Sequence, residues 1–359
     1  VSAQTVKATL AAVYMAMAGY PLNQTSSYAQ AAAKAKEVID GVNNGTYPQS
    51  LLSDWSQVYS YGNNYHNESL LNIFYMPRTG GWSNGDSQFS SCHQIQSLGG
   101  WGDFLAERRY WANYPEGPRK DYVYAKQLLL NDGVTLVDWW ATQDGEPYNG
   151  ENAVVGDYRP MFVSMTVNKD ASSGAPVAAP YDYSQPFWAG MCIGKRHQLI
   201  RYSEVLCWYA EAVARSGGDL ASAKNALKQV RARAYADEAA VTAIDAMSAD
   251  QLAEAAYEEH GYEVAGYLLA MVTRRADEFR MERLKTAYEY RAGAQDEVLV
   301  PAGTLTHSRD AEGNAFTYTL KEDVVLKENM SVASSWNGEN SIYQIYPPTE
   351  AEKNPNLKR

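Results

Sequence analysis

The chain has 359 residues, enough for a sizeable core, with 45% apolar residues and a formal charge of -11. That acidity, with no dominant basic stripe, excludes a nucleic-acid surface. No run of 18 apolar residues occurs, so no transmembrane helix is expected, and no signal peptide is read at the first residues. Cys92, Cys192 and Cys207 are odd in number and lack metal spacing, which argues against a full disulfide framework and against a cysteine zinc site. Cys207, among apolar neighbours, reads as a buried thiol. With 27 Tyr and 9 Trp against 7 Phe, most aromatic rings carry a polar edge and suit wet surfaces that must also stack.

In chain order, Val6, Leu10, Val13, Tyr14 and Met17 form a helical stripe that Pro21 ends. A second helix, SYAQAAAKAKEVIDG, is expected to close at Gly41. Its Tyr28, Ala31, Ala35 and Val38 have the spacing of Leu220, Ala223, Leu227 and Val230 further on. In both sets small residues fall where a neighbouring helix must come close, the packing logic of tetratricopeptide helix pairs. The helix pair in RYSEVLCWYAEAVARSGGDLASAKNALKQVRARA has its turn at Gly217 and Gly218, with Asp219 as the next cap. Its Glu204, Glu211 and Arg215 read as helix-surface partners and not as catalysts. Ser248 and Gln251 form a capping box that opens a further helical region, with a break near Gly266. The run of eight acids in residues 236–263 and the basic run in residues 195–235 read as solvated helix faces. AFTYTLKEDVVLKEN alternates like a hairpin, and Pro347, Pro348 and Pro355 predict an extended surface path for the tail.

Residues 78–190 differ from both flanks. They are rich in Gly, Pro, Asn, Asp and rings, and they hold six of the nine Trp. A long segment without periodicity is functional or disordered, and Trp argues against disorder. A sugar ring has an apolar C–H face and a hydroxyl rim, which Trp and Tyr cover while amides and carboxylates bond the rim. Four clusters, holding five Trp, have that composition: Trp82 with Asn84, Trp101 with Asp103, Trp111 with Tyr114, and Trp139 and Trp140 beside Asp138 and Gln143. The candidate ligand residues are Trp82, Asn84, Trp101, Asp103, Trp111, Tyr114 and Trp139. Since neighbours on a strand point oppositely, at most one of Trp139 and Trp140 faces a ligand. Trp55, Trp188 and Trp208 read as core.

Several segments together resemble the SusD/RagB family. Arg201, Tyr202, Glu204, Leu206, Tyr209 and Ala210 to Ala212 match its R-Y-x-E-x-L-x-x-Y-A-E-A pattern, and Val230, Arg231, Arg233 and Ala234 its V-R-x-R-A ending. NESLLNI, ERRYWANYPEGPRKDY with its Arg-Lys pair, and IYPPTEAEKNPNLKR look like further segments in the family's order. Glu259, Glu263, Arg274 and Arg275 keep part of another run, but YLLA replaces its E-G-x-R portion, as in a divergent member. The resemblance implies a mainly α fold, a SusD-like superhelix of tetratricopeptide-like pairs with a long loop-rich insertion and a little β near the C-terminus. It implies one domain represented by its C-terminal portion. Residues 1–77 and 196–290 would be scaffold, 78–195 the ligand face and 291–359 a hairpin and tail. It further implies a non-catalytic, cell-surface outer-membrane lipoprotein that captures oligosaccharides and delivers them to a SusC-like TonB-dependent transporter. The lipid anchor would lie in an N-terminal part absent from these residues.

Other chemistries are weaker. With 42 acids, carboxylate pairs arise by chance, so a glycosidase leaves no specific signal. There is no G-x-S-x-G elbow, and the five His show no H-E-x-x-H spacing. No metal or cofactor is expected; Asp138, Asp144, Glu146 and Glu151 carry oxygens for calcium but do not match an EF-hand. Peptide capture by the same scaffold, and a helical-repeat interaction scaffold without a small ligand, stay open as alternatives.

Overall fold

The computed structural model describes residues 1–75, 98–104, 106–140, 142–143, 146–147, 160–189, 193–287, 297–310, 312–327, 347–354 and 356. Helices α1 (Ala3–Ala18) and α2 (Ser27–Asn43) form an antiparallel pair. Strand β1 (Ser69–Ile73) leads into the loop-rich segment, which holds the short helices α3 (Arg108–Asn113) and α4 (Pro118–Val123). Within it, β2 (Leu128–Leu129) pairs with β3 (Leu136–Val137), and β4 (Thr142–Gln143) with β5 (Glu146–Pro147). Strand β6 (His197–Arg201) returns antiparallel to β1 and runs straight into α5 (Tyr202–Ser216). Then follow α6 (Leu220–Ala234), α7 (Glu238–Thr242), α8 (Ala249–Val264) and α9 (Leu268–Arg280). Strands β7 (Glu297–Val300), β8 (Leu305–Arg309), β9 (Ala315–Thr319) and β10 (Val324–Lys327) precede the short α10 (Pro348–Lys353). The fold is mainly helical, as the sequence implied.

The helix ends follow their local chemistry. Gly217 has φ 76°, which only glycine adopts without strain, and it stops α5. Asp219 then accepts from the N–H groups of Ala221 and Ser222 at 3.0 and 3.3 Å. Ser248 and Gln251 make the reciprocal box at the start of α8, and Gly266 follows its end with φ 71°. Helix α2 runs past Gly41 to Asn43, so Gly41 does not close it; a Cβ at Gly41 would stand 2.2 Å from the Tyr47 ring, and the glycine is there for packing.

Helix α5 is the centre of the scaffold, packed against α2, α6 and α8. Ala11, Ala31, Ala35, Leu206, Ala223 and Leu227 are all fully buried in the cluster around it, so both of the similarly spaced sets line close helix contacts. Trp55, Trp208 and Cys207 are buried as read from sequence. Glu204 and Glu211 are not on a solvated face: each is 1% exposed, because α5 is covered on nearly every side. Trp188 is only partly buried. The tail also differs from expectation. β9 pairs with β8, and β10 with β7, so the alternating stretch forms two pairings with earlier strands instead of one hairpin. Pro348 opens a helical turn, since its fixed φ suits the first helical position.

Candidate functional site

Two buried ionic networks join the elements that frame the loop-rich segment. Glu68, just before β1, takes Arg201 at 2.9 Å and Arg233 at 2.8 Å. Glu263 takes Arg201 at 2.9 Å, Arg233 at 3.0 Å and Arg119 at 2.7 Å. Arg119 also meets Glu259 at 2.7 Å, which Arg231 approaches from the other side at 2.7 Å. Burial opposes the Glu263 charge, but three arginines outweigh it and hold its carboxyl well below the usual range. In the second network His260 sits between Asp277 at 2.5 Å and Glu204 at 3.1 Å. Arg280 links Asp277 at 2.8 Å to Glu211 at 2.7 Å. Burial works against the His260 imidazolium, yet the two carboxylates push its pKa up to about 9. Every carboxylate here faces a cation, so neither network has a free acid or base for catalysis.

The loop-rich segment places its polar groups differently. Asn168 organises it: its side chain donates to the carbonyls of Asp182 at 2.8 Å and Gln185 at 3.1 Å and accepts from the Asp182 N–H at 2.8 Å. Lys169 N–H reaches Pro186 O at 2.8 Å, and Trp188 N–H reaches Val167 O at 2.8 Å. These bonds hold residues 181–188 along one wall of a cleft of about 200 Å³. Its floor is Leu98, Leu129 and Met161, and Tyr181 and Phe187 supply rings. Asn131, Lys169 and Gln185 supply an amide, an ammonium and a second amide at exposed positions. The cleft therefore has an apolar strip with hydrogen-bonding groups around it, the composition that suits a sugar ring.

The residues singled out from sequence fall in three groups. Trp82 and Asn84 lie outside the described residues. Trp101 is partly buried and Asp103 exposed, a few residues from Leu98 of the cleft. Tyr114 and Trp139 are packed inside the protein, 2% and 1% exposed. Trp139 takes the edge of Trp111 at 4.9 Å and 87°, Lys120 lies 4.5 Å over the Trp111 ring, and the Tyr114 hydroxyl donates to Tyr262 O at 2.6 Å. Neither Tyr114 nor Trp139 offers a ring face to a ligand. Trp140 is buried as well, so the pair does not divide between two faces. Asn131, Lys169, Tyr181, Gln185 and Phe187 of the cleft are not among the residues singled out from sequence: they lie away from the Trp clusters, although YDYSQPFWAG belongs to the aromatic segment.

A larger, open groove of about 470 Å³ lies along α6 and α8, with Tyr235, Tyr262, Glu254 and Glu258 on it. Its groups are already engaged. Arg119 lies over both tyrosines, and Arg283 binds Glu254 at 2.6 Å. Among the described residues no group of three His, Cys, Asp or Glu is placed to hold a metal. Of the calcium candidates, Asp138 accepts the His307 N–H at 2.8 Å; Asp144 and Glu151 lie outside the described residues, as does the Glu146 side chain.

A model of the SusD family matches residues 68–359. The chain belongs to the SusD family. Among solved structures it is similar to a SusD superfamily protein from Parabacteroides distasonis, with TM-score 0.55 and 16% identity over 99% of this chain and 62% of that one. It is similar also to a SusD homolog from Bacteroides thetaiotaomicron, with TM-score 0.54 and 20% identity over 80% of this chain and 54% of that one. A third is surface glycan-binding protein A from the same species, in complex with laminarihexaose, with TM-score 0.51 and 16% identity over 80% and 56% of the two chains. At these identities the likeness is one of fold. The chain spans about 54–62% of the length of these three relatives. No curated protein matches it.

Proposed function

We propose that this SusD-family chain captures oligosaccharides in the cleft between Tyr181, Phe187 and Asn131, without breaking bonds. The observation that carries the reading is the cleft itself: two rings beside an apolar floor, with Asn131, Gln185 and Lys169 at exposed positions around them. A pyranose C–H face packs on the rings and its hydroxyls exchange water for the two amides and the ammonium. Contacts of this kind hold a ligand at modest affinity and release it, which suits handover to a carrier. That a related fold was solved with laminarihexaose supports a glycan as the cargo. The carrier in this reading is a SusC-like TonB-dependent transporter, and the protein works at the outer-membrane surface, held by a lipid anchor. Trp101 and Asp103, a few residues from Leu98 of the cleft, belong to the same ligand face in this reading. An affinity-gel panel of neutral and acidic polysaccharides tests it. Retardation by one glycan class, lost in Tyr181→Ala or Phe187→Ala proteins that still melt cooperatively, supports it. Retention of peptides and of no glycan, by folded protein, would overturn it in favour of peptide capture.

A further inference from the structure

Where residues 193–197 enter β6, the chain buries two consecutive basic residues that no carboxylate pairs with among the described residues. Lys195 and Arg196 are each 3% exposed in a protein of formal charge -11. Lys195 Nζ donates to two backbone carbonyls, Ser164 O at 2.6 Å and Thr166 O at 3.4 Å. The Nη2 of Arg196 is buried with no hydrogen-bond partner. No carboxylate among the described residues pairs with either side chain, and the nearby Glu68 is bound by Arg201 and Arg233. The flanking imidazoles add no negative charge: burial pushes His66 and His197 down to about 4, so both are neutral. Burial pushes the Lys195 amine down to about 7 and the Arg196 guanidinium down to about 10, so the charge left to match is that of Arg196. A desolvated guanidinium with an unpartnered nitrogen is costly, and an anion that reaches it relieves that cost.

Beside this pair stands an aromatic platform. Tyr65 is 82% exposed and Phe74 52% exposed, and they stack on each other at 5.3 Å and 12°. Stacked rings left in water at this level are a surface with an apolar face to offer. Asn64 ties the turn that carries Tyr65 to the backbone at Arg196: its side chain donates to Gly194 O at 2.7 Å and accepts the Arg196 N–H at 3.2 Å. Tyr65 lies within electrostatic reach of the Arg196 guanidinium. The same turn is tied to the loop that carries Tyr181, since Gly62 N–H reaches Ala178 O at 2.7 Å.

We propose that this corner takes a sugar unit that bears a carboxylate, a uronic acid, with its ring on the Tyr65–Phe74 platform and its carboxylate on Arg196. The inference rests on the glycan reading above and narrows its cargo to acidic saccharides. Neutral glycans supply the stacking but leave the guanidinium unmatched, and a charge-assisted hydrogen bond at such a place favours the acid roughly tenfold or more.

The test compares oligogalacturonate with the same oligosaccharide after reduction of its carboxyls to alcohols, by calorimetry at low and at high salt. The expected result is binding of the acid at least roughly tenfold tighter, weakened by salt, with the preference lost in Arg196→Gln and overall affinity reduced in Tyr65→Ala. Since Tyr65 is mostly exposed, its variant keeps the fold and decides the matter if Arg196→Gln does not fold. Equal affinity for the acid and its reduced form would overturn the inference and leave glycan capture standing. Binding of polyaspartate but of neither saccharide would overturn both, as would binding of none of the three by folded protein.

Discussion

In the helical scaffold Arg201 and Glu263 bind each other at 2.9 Å with no water between them; in the loop-rich segment Asn131, Lys169 and Gln185 stand at the mouth of a cleft, open to solvent. The same kinds of polar group therefore do opposite work. Arg201, Arg231, Arg233, Glu204, Glu211, Glu259 and Glu263, which carry the family resemblance in sequence, are all in or beside the buried networks. The signature of this family, as this chain displays it, is a means of joining distant segments. The residues that line the proposed ligand cleft lie outside that signature.

That contrast can be broken first at the network. Glu263→Ala leaves Arg119, Arg201 and Arg233 around an empty place, and stability is expected to fall by roughly 3–5 kcal/mol. A thermal melt reads this as a drop on the order of 10 °C; an unchanged melt would mean that the network does not hold the segments together. Trp139→Ala is expected to cost a similar amount, roughly 3–5 kcal/mol, because it empties a packed site. If Trp139→Ala melts like the parent and loses glycan binding, the ring belongs to the ligand face after all.

The second network sharpens the contrast through pH. His260 titrates near 9 in the fold against its ordinary 6.5, so its stabilisation is complete below pH 6.5 and is lost as pH rises through 9. Urea unfolding at pH 6.5 and 9.5 is expected to differ by on the order of 3 kcal/mol, and His260→Gln is expected to flatten that limb. Asp277 is held well below the usual carboxylate range by His260 and Arg280, against the effect of its burial, so its contribution is lost only on the acid side.

In the cleft the expected effects are smaller and fall on binding. Tyr181→Ala is expected to weaken glycan affinity roughly tenfold, with little change in the melt, as read by calorimetry and a thermal scan side by side. The smallest effect is at a helix end. Ser248→Ala removes the α8 cap, and the expected loss is about 1 kcal/mol of stability with glycan affinity unchanged.

What could be read from sequence was local. Gly217, Asp219, Ser248, Gln251 and Gly266 act within a turn of themselves, and all five mark the helix ends where the spacing put them. The networks were not legible, because Glu68 meets Arg201 across 133 positions and α5 gives no sign in its own residues that both of its sides are covered. Glu204 and Glu211 consequently looked like surface charges. In the loop-rich segment the same large rings that signal stacking also seek burial. Trp139 and Tyr114 were taken up by the core, while Tyr181 and Phe187 stand only partly buried at the cleft.

The pairing of β1 with β6 has an evolutionary consequence. Ser69 stands opposite Arg201, and Ile73 opposite His197, so both ends of the intervening stretch are clasped at one place beside α5. An excursion whose ends are already pinned can lengthen at little cost, roughly 0.6 kcal/mol per doubling. Provided that Arg119 and its acidic partners are kept, this stretch is free to change in sequence and length while the helices beneath it stay the same.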